Sequence, residues 1–345
     1  MKKALLTTTA LVAFAGAASA EVTLSGYAEI GIQSSDYSAL TNGDGTTAGG
    51  LAGNGEVGFH HDIDVKFTLS GETDNGLTFG ATIDLDELNG DSIDPRGGGN
   101  GGAFGENDSS VFVSGAFGTV TLGDTDGAFD WAMQEVGIGS ALADDHTTHA
   151  GFNFNSGFDG MYDAQVLRYD NTFGDFGVAL SAVLDDTITG GDTAWGIGVK
   201  YNAALGGVDL GLGLAYQDAG PADLWGVSVD AKFGGGFRAI LNYSENDGGA
   251  GITTDHVGVG LGYTMDALTV SANWGEFDSG AGDSQDGYGI AVNYDLGGGA
   301  VVMFGYGHSA YAVGSTATVN DDTGAAIALA GTDRDLWSLG LGLSF

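Results

Sequence analysis

The chain has 345 residues and no cysteine, and its 46 acidic residues against 9 lysines and arginines give a formal net charge of −37. This charge disfavours a nucleic-acid partner, because no basic patch is available to contact phosphates, and the lack of cysteine excludes disulfides and thiol chemistry. Glycine accounts for 65 residues and proline for only 2, but the periodic placement of valine, leucine and aromatic residues argues against a disordered chain.

The first predicted element is a secretory signal at Met1–Ala20. Lys2 and Lys3 precede an apolar stretch that ends in the small-residue cleavage site at residues 18–20. Cleavage there would start the mature chain at Glu21, and the loss of two lysines would lower the formal net charge from −37 to −39. No later segment approaches the roughly 18 consecutive apolar residues of a membrane helix.

The mature chain, residues 21–345, consists largely of runs in which apolar and polar residues alternate, the pattern of a half-buried strand. In the first run, Val22, Leu24, Ala28, Ile30 and Ile32 share one face. Sixteen such runs are predicted, at Val22–Gln33, His60–Gly71, Leu77–Asp86, Asp108–Gly115, Gly118–Gly123, Asp163–Asp170, Gly174–Asp185, Thr193–Tyr201, Gly207–Gln217, Leu224–Phe233, Phe237–Glu245, Asp255–Tyr263, Leu268–Phe277, Asp286–Asp295, Ala300–His308 and Arg334–Phe345.

The connections between these runs alternate between short turns and longer, acidic, glycine-rich loops, as in outer-membrane barrels. One face of the runs is apolar and carries aromatic residues near many strand ends, whereas the other carries serine, threonine, asparagine, glycine and charges. In lipid such a sheet has to close, because an open edge would leave backbone groups unsatisfied. The sequence therefore predicts an all-β fold, a sixteen-stranded antiparallel transmembrane β-barrel with a water-filled interior.

The third long connection, Gly123–Tyr162, loses the period of two, and a connection of this length in a compact domain is usually functional. It has no lysine or arginine, and it contains seven acids: Asp124, Asp126, Asp130, Glu135, Asp144, Asp145 and Asp159. We predict that residues 124–162 form a constriction loop that folds into the lumen, with Phe129 and Trp131 packed against the wall.

Several segments resemble the general trimeric porins of Gram-negative outer membranes, in particular those of photosynthetic α-proteobacteria. They are EVTLSGYAEIGI at residues 21–32, FTLSGETDNGLTFGA at Phe67–Ala81, VFVSGAFGTVTLGD at Val111–Asp124, YDLGGGA at Tyr294–Ala300 and the terminal Phe345. The resemblance implies an outer-membrane homotrimer in contact with lipid and lipopolysaccharide, with the third long loop folded inward. Glu87–Asn107 resembles the loop that latches onto a neighbouring subunit, and Phe345 resembles the signal read by the barrel-assembly machinery.

The resemblance also implies that acids of the inward loop, here Asp124, Asp126, Asp130, Glu135, Asp144 and Asp145, face basic residues of the wall. This chain departs from the pattern, because Glu29, Asp62 and Asp64 stand where related porins carry arginine. Five basic residues of the predicted constriction wall keep the parity of the polar face: Lys66, Arg168, Lys200, Lys232 and Arg238. Arg168 and Lys66 are expected nearest the narrowest point, although each cation could equally pair with a neighbouring acid.

The function expected from this pattern is passive diffusion of ions and small hydrophilic solutes through a cation-selective channel, with no enzymatic step and no catalytic residue. A solute-specific sugar channel is an alternative, but the polar face is poor in aromatic residues. A secreted acidic calcium-binding β protein is another, but the nine-residue repeat that it needs is absent.

No cofactor is required by this function, although the carboxylates of Asp124, Asp126 and Asp130 suit a bound Ca²⁺ ion. His146 and His149 have a spacing that could bind a metal, but a solvated pair in the loop is the expected reading. His60 and His61 are expected at the barrel rim.

Overall fold

The computed structural model describes residues 21–37, 55, 57–87, 104–145, 147–162, 165–185, 192–249, 251–280, 284–315, 318–320 and 326–345. The predicted signal at residues 1–20 and most of Glu87–Asn107 lie outside the described residues. Among the described residues, no helix has both the length and the apolar character needed to cross a membrane.

Sixteen antiparallel strands form one closed barrel, in which each strand pairs with its neighbours in the chain and the first pairs with the last. The strands are β1 (Glu21–Tyr37), β2 (Gly58–Glu72), β3 (Thr78–Glu87), β4 (Phe104–Gly115), β5 (Gly118–Gly123), β6 (Val166–Phe173), β7 (Phe176–Leu184), β8 (Thr193–Leu205), β9 (Val208–Asp218), β10 (Asp223–Phe233), β11 (Phe237–Asp247), β12 (Thr253–Met265), β13 (Leu268–Asp278), β14 (Ser284–Gly297), β15 (Ala300–Ala310) and β18 (Asp333–Ser344). The predicted fold class is confirmed.

Four elements of the described chain lie outside the barrel wall. A small hairpin of β16 (Thr318–Asn320) and β17 (Ala326–Ala328) lies in the last long connection and was not predicted. Two short helices, α1 (Ala128–Ala132) and α2 (Leu142–Asp145), lie in the third long connection.

The turn between β6 and β7 differs from the prediction, which placed it at Asn171–Gly174. Strand β6 continues to Phe173, which pairs with Phe176, and the turn consists of Gly174 and Asp175 alone. Gly174 has a positive φ of 63°, a conformation that glycine adopts without strain and that a two-residue hairpin turn requires. The side-chain amide of Asn171 donates to the carbonyl of Phe117 on the adjacent turn, at 3.0 Å.

The two faces of the wall meet different surroundings. Many outward side chains are large, apolar and exposed, and Leu180, Leu214 and Leu261 are more than half exposed, whereas the inward Ser181 and Ser228 are buried. The outward face carries two belts of aromatic residues. Near the long loops, Trp195 packs against Tyr216 and Trp225 against Tyr243. Near the short turns, Phe176 packs against Tyr201 and Phe237 against Tyr263. Aromatic rings at both ends of an apolar band mark the two membrane–water interfaces.

Candidate functional site

The outgoing half of the third long connection lies on the inner face of the barrel wall. Its backbone N–H groups donate to inward side chains of five strands: Ala128 to Ser181 at 2.9 Å, Gln134 to Ser228 at 2.9 Å, Gly139 to Ser271 at 3.1 Å, Ser140 to Asn293 at 3.0 Å and Ala143 to Glu29 at 2.7 Å. These acceptors lie on β7, β10, β13, β14 and β1, and all of them point away from the lipid face. One segment can reach them all only from inside the barrel.

The returning half lies along the same wall in the opposite direction. Ala150 donates to Ser309 at 3.0 Å, the His149 ring bonds Asn273 at 2.9 Å, Asn155 accepts from Asn242 at 3.0 Å and Phe158 donates to Gln217 at 2.9 Å. The segment 124–162 therefore covers the inner face from β7 round to β15 and touches β18 and β1 with its tip. We call it the inner loop.

Glycines on the inner face let the loop backbone approach the wall. A Cβ on Gly213 would overlap the carbonyl oxygen of Ala132, and one on Gly260 would overlap that of Val136. In both cases the obstacle is backbone, which cannot rotate aside. Inward glycine and serine thus act together, because glycine gives the space and serine or asparagine gives the hydrogen bond.

Replacing Gly213 with alanine is therefore expected to loosen the docked loop, since overpacking of this kind costs roughly 1–3 kcal/mol. The measurement is the rate at which a broad-specificity protease cleaves residues 128–157 in the folded protein. Gly211→Ala is the matched control, because it lies on the same face of β9 and the closest atom to its Cβ would be the side-chain oxygen of Asn202, at 3.2 Å, with Asp230 at 3.7 Å or more. Equal cleavage of the two variants would contradict the close-approach argument.

Two predicted wall cations and one loop carboxylate hold the base of the loop. The Arg168 guanidinium donates to the backbone oxygen of Asp126 at 2.6 Å and to the Asp170 carboxylate at 3.1 Å. Lys200 lies 3.9 Å from the centre of the Trp131 ring. Asp159, at the far end of the loop, accepts from the N–H of Gly127 at 2.6 Å and from Gln217 at 2.7 Å. The two ends of the loop are thereby held together.

Three predictions about residues under the loop need correction. Glu29 is buried and bonded to His60 at 2.8 Å, so it lies beneath the loop tip rather than on the open wall. His60 is buried in this pair and does not lie at the rim. His149 is also buried, and burial lowers its pKa to about 4. Its Nδ1 accepts from the N–H of Gly151 at 3.2 Å, so its Nε2 carries the proton that is donated to Asn273.

Strands β3 to β5, and β2 from Asp62 onward, are the part of the wall that the loop leaves uncovered. Asp62, Asp64 and Lys66 lie on the inner face of β2, where they pair in register with Glu29, Tyr27 and Ser25 of β1. Lys66 is 48% exposed at its side chain and bonds Asp84 of β3 at 2.9 Å. A passage through the barrel is therefore bounded by the loop on one side and by this wall on the other.

The last two predicted wall cations lie closer to the short turns. Arg238 binds the carboxylate of Asp230 through Nε and a terminal nitrogen, both at 2.9 Å. Lys232, which is 56% exposed, lies 4.0 Å from the same carboxylate. These cations lie near the short-turn mouth, away from the base of the loop.

The predicted loop acids differ in exposure. Asp124, Asp126 and Glu135 are exposed, whereas Asp130 on α1 is partly buried. Burial raises the pKa of Asp130 to about 8, with further repulsion from Asp126, Glu135 and Asp159 and partial relief from Lys200. Burial also raises the pKa of Asp159 to about 6, against the effect of its hydrogen bond from Gly127.

The other predicted loop ligands have no described side chains. Asp144 and Asp145 belong to α2, but their side chains are outside the described set, as is the whole of His146. Among the side chains that the structure does describe, no three acids or histidines come close enough together to hold a metal ion. The calcium site at Asp124, Asp126 and Asp130 remains a prediction.

Sequence reasoning missed the inward residues that bind the loop, above all Ser181, Ser228, Ser271, Asn273 and Gln217. Their signal was present as small polar residues and glycines alternating on one face of β7 to β14. The side chains of such a face are too small to form a packed core, but they leave room for a second segment that packs on the face and bonds to it.

Comparison with known proteins gives matches to a family, a relative and solved structures. A family model described as Gram-negative porin matches residues 7–312. A porin of Rhodobacter capsulatus is 29% identical over 312 residues, which are 83% of this chain and 93% of that protein. A porin structure refined at 1.8 Å is 22% identical with a TM-score of 0.60, and a mutant of Rh. blastica porin is 20% identical with a TM-score of 0.65. Each structural match covers 94% of this chain and 100% of the solved chain.

Proposed function

Because the chain belongs to the Gram-negative porin family, whose members are outer-membrane β-barrel channels, we propose that its channel is cation-selective and conducts ions and small hydrophilic solutes by passive diffusion. The protein is an outer-membrane porin with sixteen membrane-spanning strands. The selectivity and the role of the loop as the constriction are the proposed part.

The observation that carries the proposal is the excess of carboxylates over lysines and arginines along the passage. The described inward cations are matched by a neighbour: Lys66 by Asp84, Arg168 by Asp170, Arg238 by Asp230 and Lys200 by the Trp131 ring. The loop adds the exposed carboxylates of Asp124, Asp126 and Glu135, and β2 adds Asp62 and Asp64. Together with the three carboxylates that bind the cations, Asp84, Asp170 and Asp230, these five outnumber the inward lysines and arginines, so the net fixed charge along the passage is negative.

A negative lumen concentrates cations and repels anions, because charges in a narrow water-filled opening act over its whole width when that width is below the Debye length of about 8 Å. The overall charge of −37 adds to this field. The sugar-specific alternative has less support, since the loop tryptophan that could stack on a sugar, Trp131, is engaged by Lys200.

The partner proposals rest on the family resemblance. We propose a homotrimer in outer-membrane lipid and lipopolysaccharide, assembled through recognition of the C-terminal Phe345. The backbone N–H of Phe345 donates to Gly26 at 2.9 Å, while the residue remains 79% exposed. Its ring is thus available to an assembly factor. A bound Ca²⁺ near the loop acids is proposed on their charge alone.

The selectivity is tested by reversal potentials in a KCl gradient across a planar bilayer. The parent protein is expected to prefer K⁺, and the double variant Asp126→Asn, Glu135→Gln is expected to lower the cation-to-anion permeability ratio by about threefold or more. Asp74→Asn, in the exposed turn between β2 and β3, removes an acid outside the lumen and should leave the ratio unchanged. An anion preference of the parent protein would refute the proposal.

A further inference from the structure

The tip of the inner loop, helix α2, is held at the wall by one buried carboxyl group. Glu29 of β1 accepts from the backbone N–H of Ala143 at 2.7 Å, from Nε2 of His60 at 2.8 Å and from the hydroxyl of Tyr27 at 3.0 Å. The side chain of Glu29 is 4% exposed and that of His60 is 2% exposed. A carboxyl group so deeply buried is tolerated only when hydrogen-bonded, and these three contacts meet this need.

The loop backbone is shaped to meet this acceptor. Ala143 has a φ of 57°, in the left-handed region that non-glycine residues rarely adopt. Conformations of this kind persist only where the surroundings enforce them. Here the enforcing contacts are the bond from Ala143 to Glu29 and the fully buried side chain of the preceding residue, Leu142.

Leu142 fills a notch made by two glycines. A Cβ on Gly340 of β18 would lie 2.7 Å from Cδ1 of Leu142, and a Cβ on Gly31 of β1 would overlap the same atom. The tip is therefore fixed by two adjacent residues, through the packing of Leu142 between the glycines and the hydrogen bond from Ala143 to Glu29.

The position of this contact matters because β1 borders β2, the first strand of the uncovered wall. The tip consequently forms one edge of the passage. We propose that Glu29 is a positioning residue that latches the loop tip at this edge and keeps the width of the passage constant. This inference rests on the proposed function, since it takes the loop to be the constriction.

Loss of the latch has a measurable consequence. A hydrogen bond to a charged group is worth enough that its removal raises the ratio of released to docked tip by about 10- to 100-fold. A released tip, which carries Asp144 and Asp145, enters the passage. Each excursion then lowers the current through that channel for its duration.

The test is single-channel recording in planar bilayers with Glu29→Ala. We expect more open-channel noise, brief sub-conductance states and a lower mean conductance. Glu29→Gln is the rescue variant, because an amide oxygen still accepts from Ala143 and His60, and it should return the noise to the parent level. Ala143→Gly is the matched control: it keeps the N–H group and favours a positive φ, so the channel should remain quiet.

A second variant keeps the inference testable if Glu29→Ala disturbs barrel assembly. Leu142→Ala changes no barrel strand, and it should produce the same noise by emptying the glycine notch. Parent-like noise in either assembled variant, with the parent protein conducting and selecting cations, would overturn the latch and leave the proposed function intact. A parent protein that does not conduct would overturn the proposed function itself.

Discussion

Removing Ala128–Gly157 is expected to raise single-channel conductance by about twofold or more, because the conductance of a water-filled channel follows its open cross-section and a sixteen-stranded barrel encloses an aqueous lumen. The loop covers the inner face from β7 to β15, so its removal uncovers most of the wall. Larger neutral sugars should then pass, and the cation preference should fall with the loss of the loop acids.

The structure shows why this deletion can be made without disturbing the barrel. Gly127 and Asp159 are already joined by a hydrogen bond of 2.6 Å, so a short glycine linker can replace the removed residues. The hydrogen bonds between the barrel strands do not involve the loop. The part of the wall that the deletion would expose is largely serine, asparagine and glycine, which water can solvate. Ile240, which packs against Val136 and Phe152 of the loop, and Leu224, which packs against Phe129 and Met133, are among the apolar groups left exposed.

The measurement is conductance in bilayers together with liposome swelling in graded sugars. Deletion of hairpin β16–β17 is the matched control, since this hairpin contributes no strand to the barrel, and it should leave both values near those of the parent. Unchanged conductance after the loop deletion would show that the loop does not bound the passage.

The barrel itself could be predicted from the sequence because it is a local property. A period of two defines each strand and its faces. The alternation of short turns with long loops shows which strand ends lie at the same end of the barrel. The inner loop was recognisable for the opposite reason, since Gly123–Tyr162 loses the period. Errors at this level were small, as at Gly174, where the pairing of Phe173 with Phe176 moved the turn.

The contacts inside the barrel could not be predicted in the same way. Parity places Glu29, Arg168 and Lys200 on the inner face, but it does not say which of them the loop will cover. Glu29 was assigned to the wall side of the constriction because its parity and charge can be read from the sequence, whereas its burial cannot. Burial depends on where a distant backbone N–H arrives, and that of Ala143 is separated from Glu29 by 114 residues.

Cation preference is expected to rise as the pH increases from about 6 to 9, because burial raises the pKa of Asp130 to about 8. Below that pH the carboxyl group is neutral and adds no charge to the passage. Above it, one more negative charge appears on α1, near Asp126 and Glu135 of the loop. At a distance of roughly 6 Å in water, a unit charge changes ion partition by about threefold.

The same shift predicts how loop docking responds to pH. A carboxyl group with a raised pKa binds its proton more tightly in the docked loop than in a released one. Its contribution to docking is therefore fully present below the ordinary aspartate value and is lost as the pH rises through about 8. Asp159, with a pKa raised to about 6, acts in the same direction at lower pH.

Reversal potentials and loop proteolysis, each measured across this pH range, test the two consequences together. Alkaline pH should increase both the cation preference and the rate of loop cleavage. Asp130→Asn should remove the step near pH 8 from both curves and hold the channel in its acidic form, while Asp74→Asn should leave the step in place. If the step persists in Asp130→Asn, another group carries the titration, and the charge that governs permeation does not lie on α1.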